Sequence, residues 1–112
     1  MPRWINIPFS YEMYGAISQG KKVCTTRSEK KGEIGDLFVI AGKAYRIVDV
    51  RPMPLWEVGD TLYRQEGCSS PAAYRDLWRR LHQGRFSAEQ TYYVHWFARI
   101  EEPIIETQEA DA

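Results

Sequence analysis

The sequence predicts a small α+β domain. We expect a strongly bent, mostly antiparallel sheet or open β-barrel of about five or six strands, with two main helices packed against it. Three observations lead there. β-prone runs recur along the chain, at Val23–Thr26, Leu37–Ile40, Tyr45–Val50 and Thr91–Ile100. Two other segments, around Tyr11–Ser18 and Ala73–Leu81, carry apolar residues at helical spacing. The chain has 112 residues, which suits one domain with a real core and no need of metal or disulfide staples. We place that domain at residues 1–105 and read 106–112 as a loose acidic tail.

Each element has its own signal. Trp4-Ile5-Asn6-Ile7 alternates as a short first strand, and Pro8 ends it because proline gives no ladder donor. Ser10 is placed to cap a helix through Gln19, with Tyr11, Tyr14, Ile17 and Ser18 on one face. Gly20 falls where helices stop in a left-handed residue. In the strand that follows, Val23, Thr25 and Arg27 point one way, and Cys24 and Thr26 the other. Lys22 sits on the turn before it. Leu37–Ile40 is apolar enough to be buried on both faces. Ala41-Gly42-Lys43 turns the chain into Tyr45–Val50, which Pro52 and Pro54 should stop.

After a short helical turn near Trp56 and an irregular loop, Ser70 and Pro71 begin the second main helix. Its stripes, Ala73-Leu77-Leu81 and Tyr74-Trp78, predict a wide buried face through His82, and Gly84 ends it. Thr91–Ile100 is the longest strand, with Val94, Trp96 and Ala98 alternating against Tyr93, His95, Phe97 and Arg99.

Composition excludes little about partners. Fifteen basic and fifteen acidic residues cancel, so net charge gives no argument for nucleic acid. Arg75, Arg79, Arg80, His82 and Arg85 nevertheless cluster, either as a solvated helix face or as a phosphate path. Cys24 and Cys68 form no CxxC or Cys/His pattern, which suits reduced thiols in the cytoplasm and neither metal nor cofactor. The N-terminus lacks the apolar stretch of a signal peptide, and no run is long enough to span a membrane.

The densest chemistry lies in Gly20-Lys21-Lys22-Val23-Cys24-Thr25-Thr26-Arg27. A threonine hydroxyl needs a base before it attacks. Lys22 would serve only when neutral, which burial or a neighbouring cation such as Arg27 favours. Arg27 shares a strand face with Thr25 and suits a carbonyl oxygen or a phosphate. The plain alternative is that threonines populate strands and lysines populate turns. Glu66, on an irregular loop beside Gly67, is either a further acid/base group or an exposed loop carboxylate. His95 reads as a hydrogen-bonded core histidine, and Cys24 as a small buried apolar side chain. Trp4, Tyr11, Tyr14 and Trp56 are aromatics that would stack on a flat base or belong to the core.

This segment resembles the G-x-K-x-x-E-x-R motif of ASCH domains, relatives of the PUA RNA-binding fold. Gly20, Lys22 and Arg27 match, and Thr25 stands where glutamate is usual. Threonine at that place is similar to the 4-acetylcytidine amidohydrolase branch. Gly35-Asp36 before an apolar strand, Glu66-Gly67 before the Ala73–Trp78 helix, and the final Val94-Trp96-Phe97 strand resemble the later blocks. Together they cover Ile17 to Ile100. The resemblance implies a β-barrel with a cleft between barrel and helices. It implies Thr25 as nucleophile, Lys22 as base and Glu66 as its aligning partner. Arg27, Lys21 and Gly20 would bind a nucleoside substrate. Other ASCH relatives imply an alternative, an RNA-binding or metal-dependent RNA-cleaving module using Arg75, Arg79, Arg80 and Arg85. The oligomeric state is left open.

Overall fold

The computed structural model describes residues 2–101. Its elements are α1 (Tyr11–Ser18), β1 (Cys24–Arg27), β2 (Leu37–Ile40), β3 (Lys43–Pro54), α2 (Leu55–Thr61), α3 (Pro71–Leu81) and β4 (Thr91–Arg99). The strands form one antiparallel sheet in the order β1-β4-β3-β2, curled into a half-barrel. The architecture is therefore the expected α+β one, with fewer strands. Four form the sheet, because Trp4–Ile7 adds only a parallel bridge from Trp4 to Leu37. Ile5 N–H donates to Leu37 O at 2.8 Å, and Pro8 then has no donor to continue the ladder. The expected tail at 106–112 lies outside the described residues.

Local rules account for most boundaries. Gly20 ends α1 at φ 76°, and Lys21 and Lys22 N–H both close back on Ala16 O. Ala41 and Gly42 both take positive φ, the signature of a tight two-residue hairpin turn between β2 and β3. Ser70 Oγ accepts from Ala73 N–H at 3.0 Å, and Pro71 opens α3.

Three expectations need correction. β3 does not stop at Pro52: it pairs Pro52 with Tyr93 and Pro54 with Thr91. Here β2 no longer flanks it, so an edge without a partner tolerates the missing donors. β2 is not buried on both faces, since Val39 is 54% exposed while Phe38 and Ile40 are buried. It is an edge strand covered on one side. The Leu55–Gly67 stretch holds a full α2 rather than a single turn, so three helices pack on the sheet where two were expected.

The sheet carries apolar clusters on opposite faces. Ile7, Ile17, Phe38, Ile40, Tyr45, Ile47 and Phe97 form one, beneath α1. Cys24, Leu55, Val58, Tyr74, Trp78, Tyr92 and Val94 form the other, beneath α2 and α3. The clusters are offset along the strands. β4 buries Tyr92 and Val94 on one face and then His95 and Phe97 on the other. A register shift between Ile47 and Asp49 leaves Val48 unpaired and lets β3 make the same change of face.

Candidate active site

The site is built where the end of α1, the edge strand β1 and the loop before α3 meet. Val23 N–H donates to Gln65 O at 2.7 Å, and Lys22 and Glu66 form an isolated antiparallel bridge. The loop can lie this close because Gly67 adopts φ 93° and has no Cβ. A Cβ there would stand 3.2 Å from Lys22 Cβ. This contact turns Glu66 inward, so it is buried at 4% exposure instead of lying in solvent.

Lys22 is equally buried at 4%. Its Nζ donates to Glu66 Oε1 at 2.6 Å, to Cys24 O at 2.8 Å and to Glu66 O at 3.4 Å. Three acceptors match the three N–H bonds of an ammonium. The second carboxylate oxygen, Glu66 Oε2, accepts from Thr26 Oγ1 at 2.6 Å. A chain Thr26–Glu66–Lys22 thus runs through the interior. Glu66 is also felt by its neighbours. Burial and then its negative charge push the Cys24 thiol well above its ordinary value, which makes Cys24 a poor nucleophile. Burial and the same charge raise the Tyr74 phenol, and Thr26 acts in the opposite direction.

Thr25 faces the other way, as strand alternation requires. Its Oγ1 accepts from Arg27 Nε at 3.3 Å. Arg27 is held by Nη2 donating to Pro8 O at 2.7 Å and by its guanidinium lying 5.0 Å from the Phe9 ring centroid. Burial lowers the Arg27 value, and Glu66 opposes that. Thr25 pairs across the sheet with His95, whose Nε2 accepts from Lys31 N–H at 2.9 Å. His95 is fully buried, and desolvation first of all lowers its pKa. It is a core histidine that holds the 28–36 loop.

A cavity of about 260 Å³ straddles this sheet edge. Lys22, Thr25, Thr26, Arg27 and Glu66 form its polar wall. Phe9 and Met13 line the α1 side, and Tyr74, Leu77, Trp78, Leu81 and His82 the α3 side. The Leu77-Leu81 stripe of α3, expected in the core, thus faces the cavity, and Leu81 is 49% exposed. The His82 ring stacks on Trp78, with centroids 4.0 Å apart and planes 10° apart. His82 Nδ1 lies 2.8 Å from Trp78 O. Arg80 and Glu12 face each other at 3.6 Å, linking α3 to α1.

Of the residues singled out in the sequence, Lys22, Thr25, Glu66 and Arg27 meet at this cavity. Gly20 and Lys21 do not line it. The turn that ends α1 carries Gly20 to a second cavity on the far side of the Lys22 stem and leaves Lys21 exposed. Sequence reasoning missed Phe9 and Trp78, placed His82 only in the basic cluster, and offered Trp4, Tyr11, Tyr14 and Trp56, none of which lines the cavity. His82 four residues after Trp78 was the available signal for the stacked pair. Among the described residues, no group of three or more His, Cys, Asp or Glu side chains converges as a metal site requires. No helix among them is long and apolar enough to cross a membrane.

No family model matches the sequence, and no curated protein matches it. Solved structures do. An ASCH domain from Lactobacillus crispatus JV V101 matches with a TM-score of 0.63 at 15% identity, over 88% of this chain and 79% of that one. A protein from Enterococcus faecalis V583, of the DUF984 family, matches with a TM-score of 0.61 at 19% identity, over 89% and 80%. A hypothetical protein matches with a TM-score of 0.65 at 15% identity, over 89% of this chain and all of that one. With its curled four-stranded sheet, its helices and these neighbours, the chain has an ASCH-like fold.

Proposed function

We propose that this protein is a hydrolase that removes an acyl group from the exocyclic amine of a modified cytidine nucleoside, as a 4-acetylcytidine amidohydrolase does. The observation that carries this reading is the buried Lys22–Glu66 pair in the wall of a small cavity that Thr25 and Arg27 also line. At about 260 Å³ the cavity lies near the small end of ligand pockets, which begin at about 300 Å³. That is a scale for a nucleoside rather than a folded RNA.

The proposed reaction uses these groups together with one movement, a turn of the Lys22 amine from its three acceptors toward Thr25 on the other strand face. Moving one proton across the 2.6 Å bond from Lys22 Nζ to Glu66 Oε1 leaves a neutral amine and a carboxylic acid. With the Lys22 amine turned from Glu66 toward Thr25, its lone pair takes the hydroxyl proton of Thr25 as Thr25 Oγ1 attacks the acyl carbon. Arg27, already a donor to Thr25 Oγ1, faces the developing oxyanion. Collapse breaks the C–N bond, Lys22 returns its proton to the leaving amine, and water then hydrolyses the acyl-threonine.

The test is direct. Purified protein is incubated with 4-acetylcytidine, and loss of the acetylated-base absorbance is followed, with Thr25→Ala as control. Inert wild type, or a Thr25→Ala variant as active as wild type, refutes the reading. Recognition of RNA by Arg75, Arg79, Arg80 and Arg85 ranks second. Three of these arginines face acids: Arg75 with Asp60, Arg79 with Asp76 and Arg80 with Glu12. RNA affinity that falls steeply with salt would favour that reading instead.

A further inference from the structure

Thr26 stands next to the proposed nucleophile but on the opposite strand face, and the mechanism above does not use it. Its position is nonetheless specific. It is buried at 6% exposure, and its hydroxyl makes a 2.6 Å bond to Glu66 Oε2. That hydroxyl is the side-chain donor that holds this oxygen. Val or Ile would fill a β-strand position facing Val94 and Tyr74 equally well, so packing alone does not call for a hydroxyl.

Resting on the hydrolase reading, we propose that Thr26 is a positioning residue that fixes which oxygen of Glu66 exchanges a proton with Lys22. The geometry gives it that role. With Oε2 accepting from Thr26, the carboxylate plane is pinned and Oε1 is aimed at Lys22 Nζ. When the proton crosses from Nζ, it lands on Oε1 and faces the amine that must later reclaim it. No bond to substrate is needed, and Thr26 itself is not consumed. Without the hydroxyl, Glu66 is free to rotate about its terminal torsion, and acid forms with the proton on Oε2 become accessible.

The experiment compares wild type, Thr26→Val and Thr26→Ser. In the proposed reaction, Thr26→Val lowers kcat by about 10- to 100-fold through misalignment, and KM stays within about twofold. Thr26→Ser restores kcat. A second readout does not depend on turnover: the pH dependence of the Glu66 side-chain carboxyl carbon resonance. It changes in Thr26→Val and returns to the wild-type curve in Thr26→Ser. If the valine variant does not fold, Thr26→Ala takes its place. Should wild type prove inert on 4-acetylcytidine, the hydrolase reading fails while the resonance comparison still decides the role of Thr26. A Glu66 curve that is the same with and without the Thr26 hydroxyl overturns the inference. So does trapped acyl found on Thr26 rather than Thr25, which would make Thr26 the nucleophile.

Discussion

Replacing Lys22 by methionine tests whether the interior ion pair is as isolated from water as its contacts indicate. Methionine keeps much of the apolar stem and removes the three N–H donors. Glu66 would be left buried, charged, and held by Thr26 alone, and the carbonyls of Cys24 and Glu66 would lose a donor. Breaking a buried pair from one side costs about 3–5 kcal/mol, because an uncompensated charge remains. Against a typical domain stability of about 5–15 kcal/mol, that is a large share. Urea unfolding followed by tryptophan fluorescence should show it. With a slope near 1–1.5 kcal/mol per molar, the midpoint falls by roughly 2 M or more. Adding Glu66→Gln removes the stranded charge while keeping an acceptor for Thr26. The double variant should recover about 2 kcal/mol of the loss, a non-additivity expected of residues in direct contact. The reasoning fails if Lys22→Met costs less than about 1 kcal/mol, or if the double variant is no more stable than the single one.

Other outcomes follow from single positions. Gly67→Ala forces φ 93° on an alanine and sets its Cβ 3.2 Å from Lys22 Cβ; a stability loss of about 1–3 kcal/mol is expected by chemical denaturation, and a neutral result would mean the loop is not held against Lys22. His95 has a lowered pKa, mainly from burial, so below its ordinary value of 6.5 the unfolded chain takes up a proton that the folded one resists. Stability should thus fall as pH drops through 6.5, with a slope of at most about 1.4 kcal/mol per pH unit from this group, levelling off below the folded value. In His95→Gln that component of the pH profile should vanish. The Tyr45 hydroxyl is buried without a hydrogen-bond partner among the described residues, so Tyr45→Phe should change stability by no more than about 0.5 kcal/mol; a loss above about 1 kcal/mol would show that the hydroxyl is engaged.

Much of the fold could be read from local chemistry. The stop at Gly20, the Ala41-Gly42 turn and the Ser70-Pro71 start each rest on a backbone requirement that few residues meet. What escaped depends on partners. Val39 looked buried because apolar runs do not reveal that a strand lies at a sheet edge. Pro52 looked like a strand end because the sequence does not disclose that β2 has already left that flank. β4 looked like one regular alternation, whereas its two buried faces change over between Val94 and His95. At the site, the spacing of Lys22, Thr25 and Arg27 marked the wall, but nothing local showed which threonine faces Glu66. That is Thr26, because the loop at Glu66 lies against the strand face that carries Cys24. Phe9 and Trp78 were hidden for the same reason: each looks like core until the space between α1 and α3 is known.

The pairing of Pro54 with Thr91 has a consequence for how such a protein can change. The chain leaves the sheet after Pro54 and rejoins it at Thr91, directly opposite its point of departure. Everything between, including Glu66, Tyr74, Trp78 and His82, is one excursion with its ends tied together. Its irregular turns, though not the core-packed α2 and α3, can vary in length at little thermodynamic cost, since doubling a flexible loop costs only about 0.6 kcal/mol. The sheet supplies Lys22, Thr25, Thr26 and Arg27 nearby, while the excursion supplies the opposing wall and the carboxylate. The apolar wall from α3 and the polar side chains of β1 are thus carried by separate stretches of chain, tied together by the Lys22–Glu66 pair.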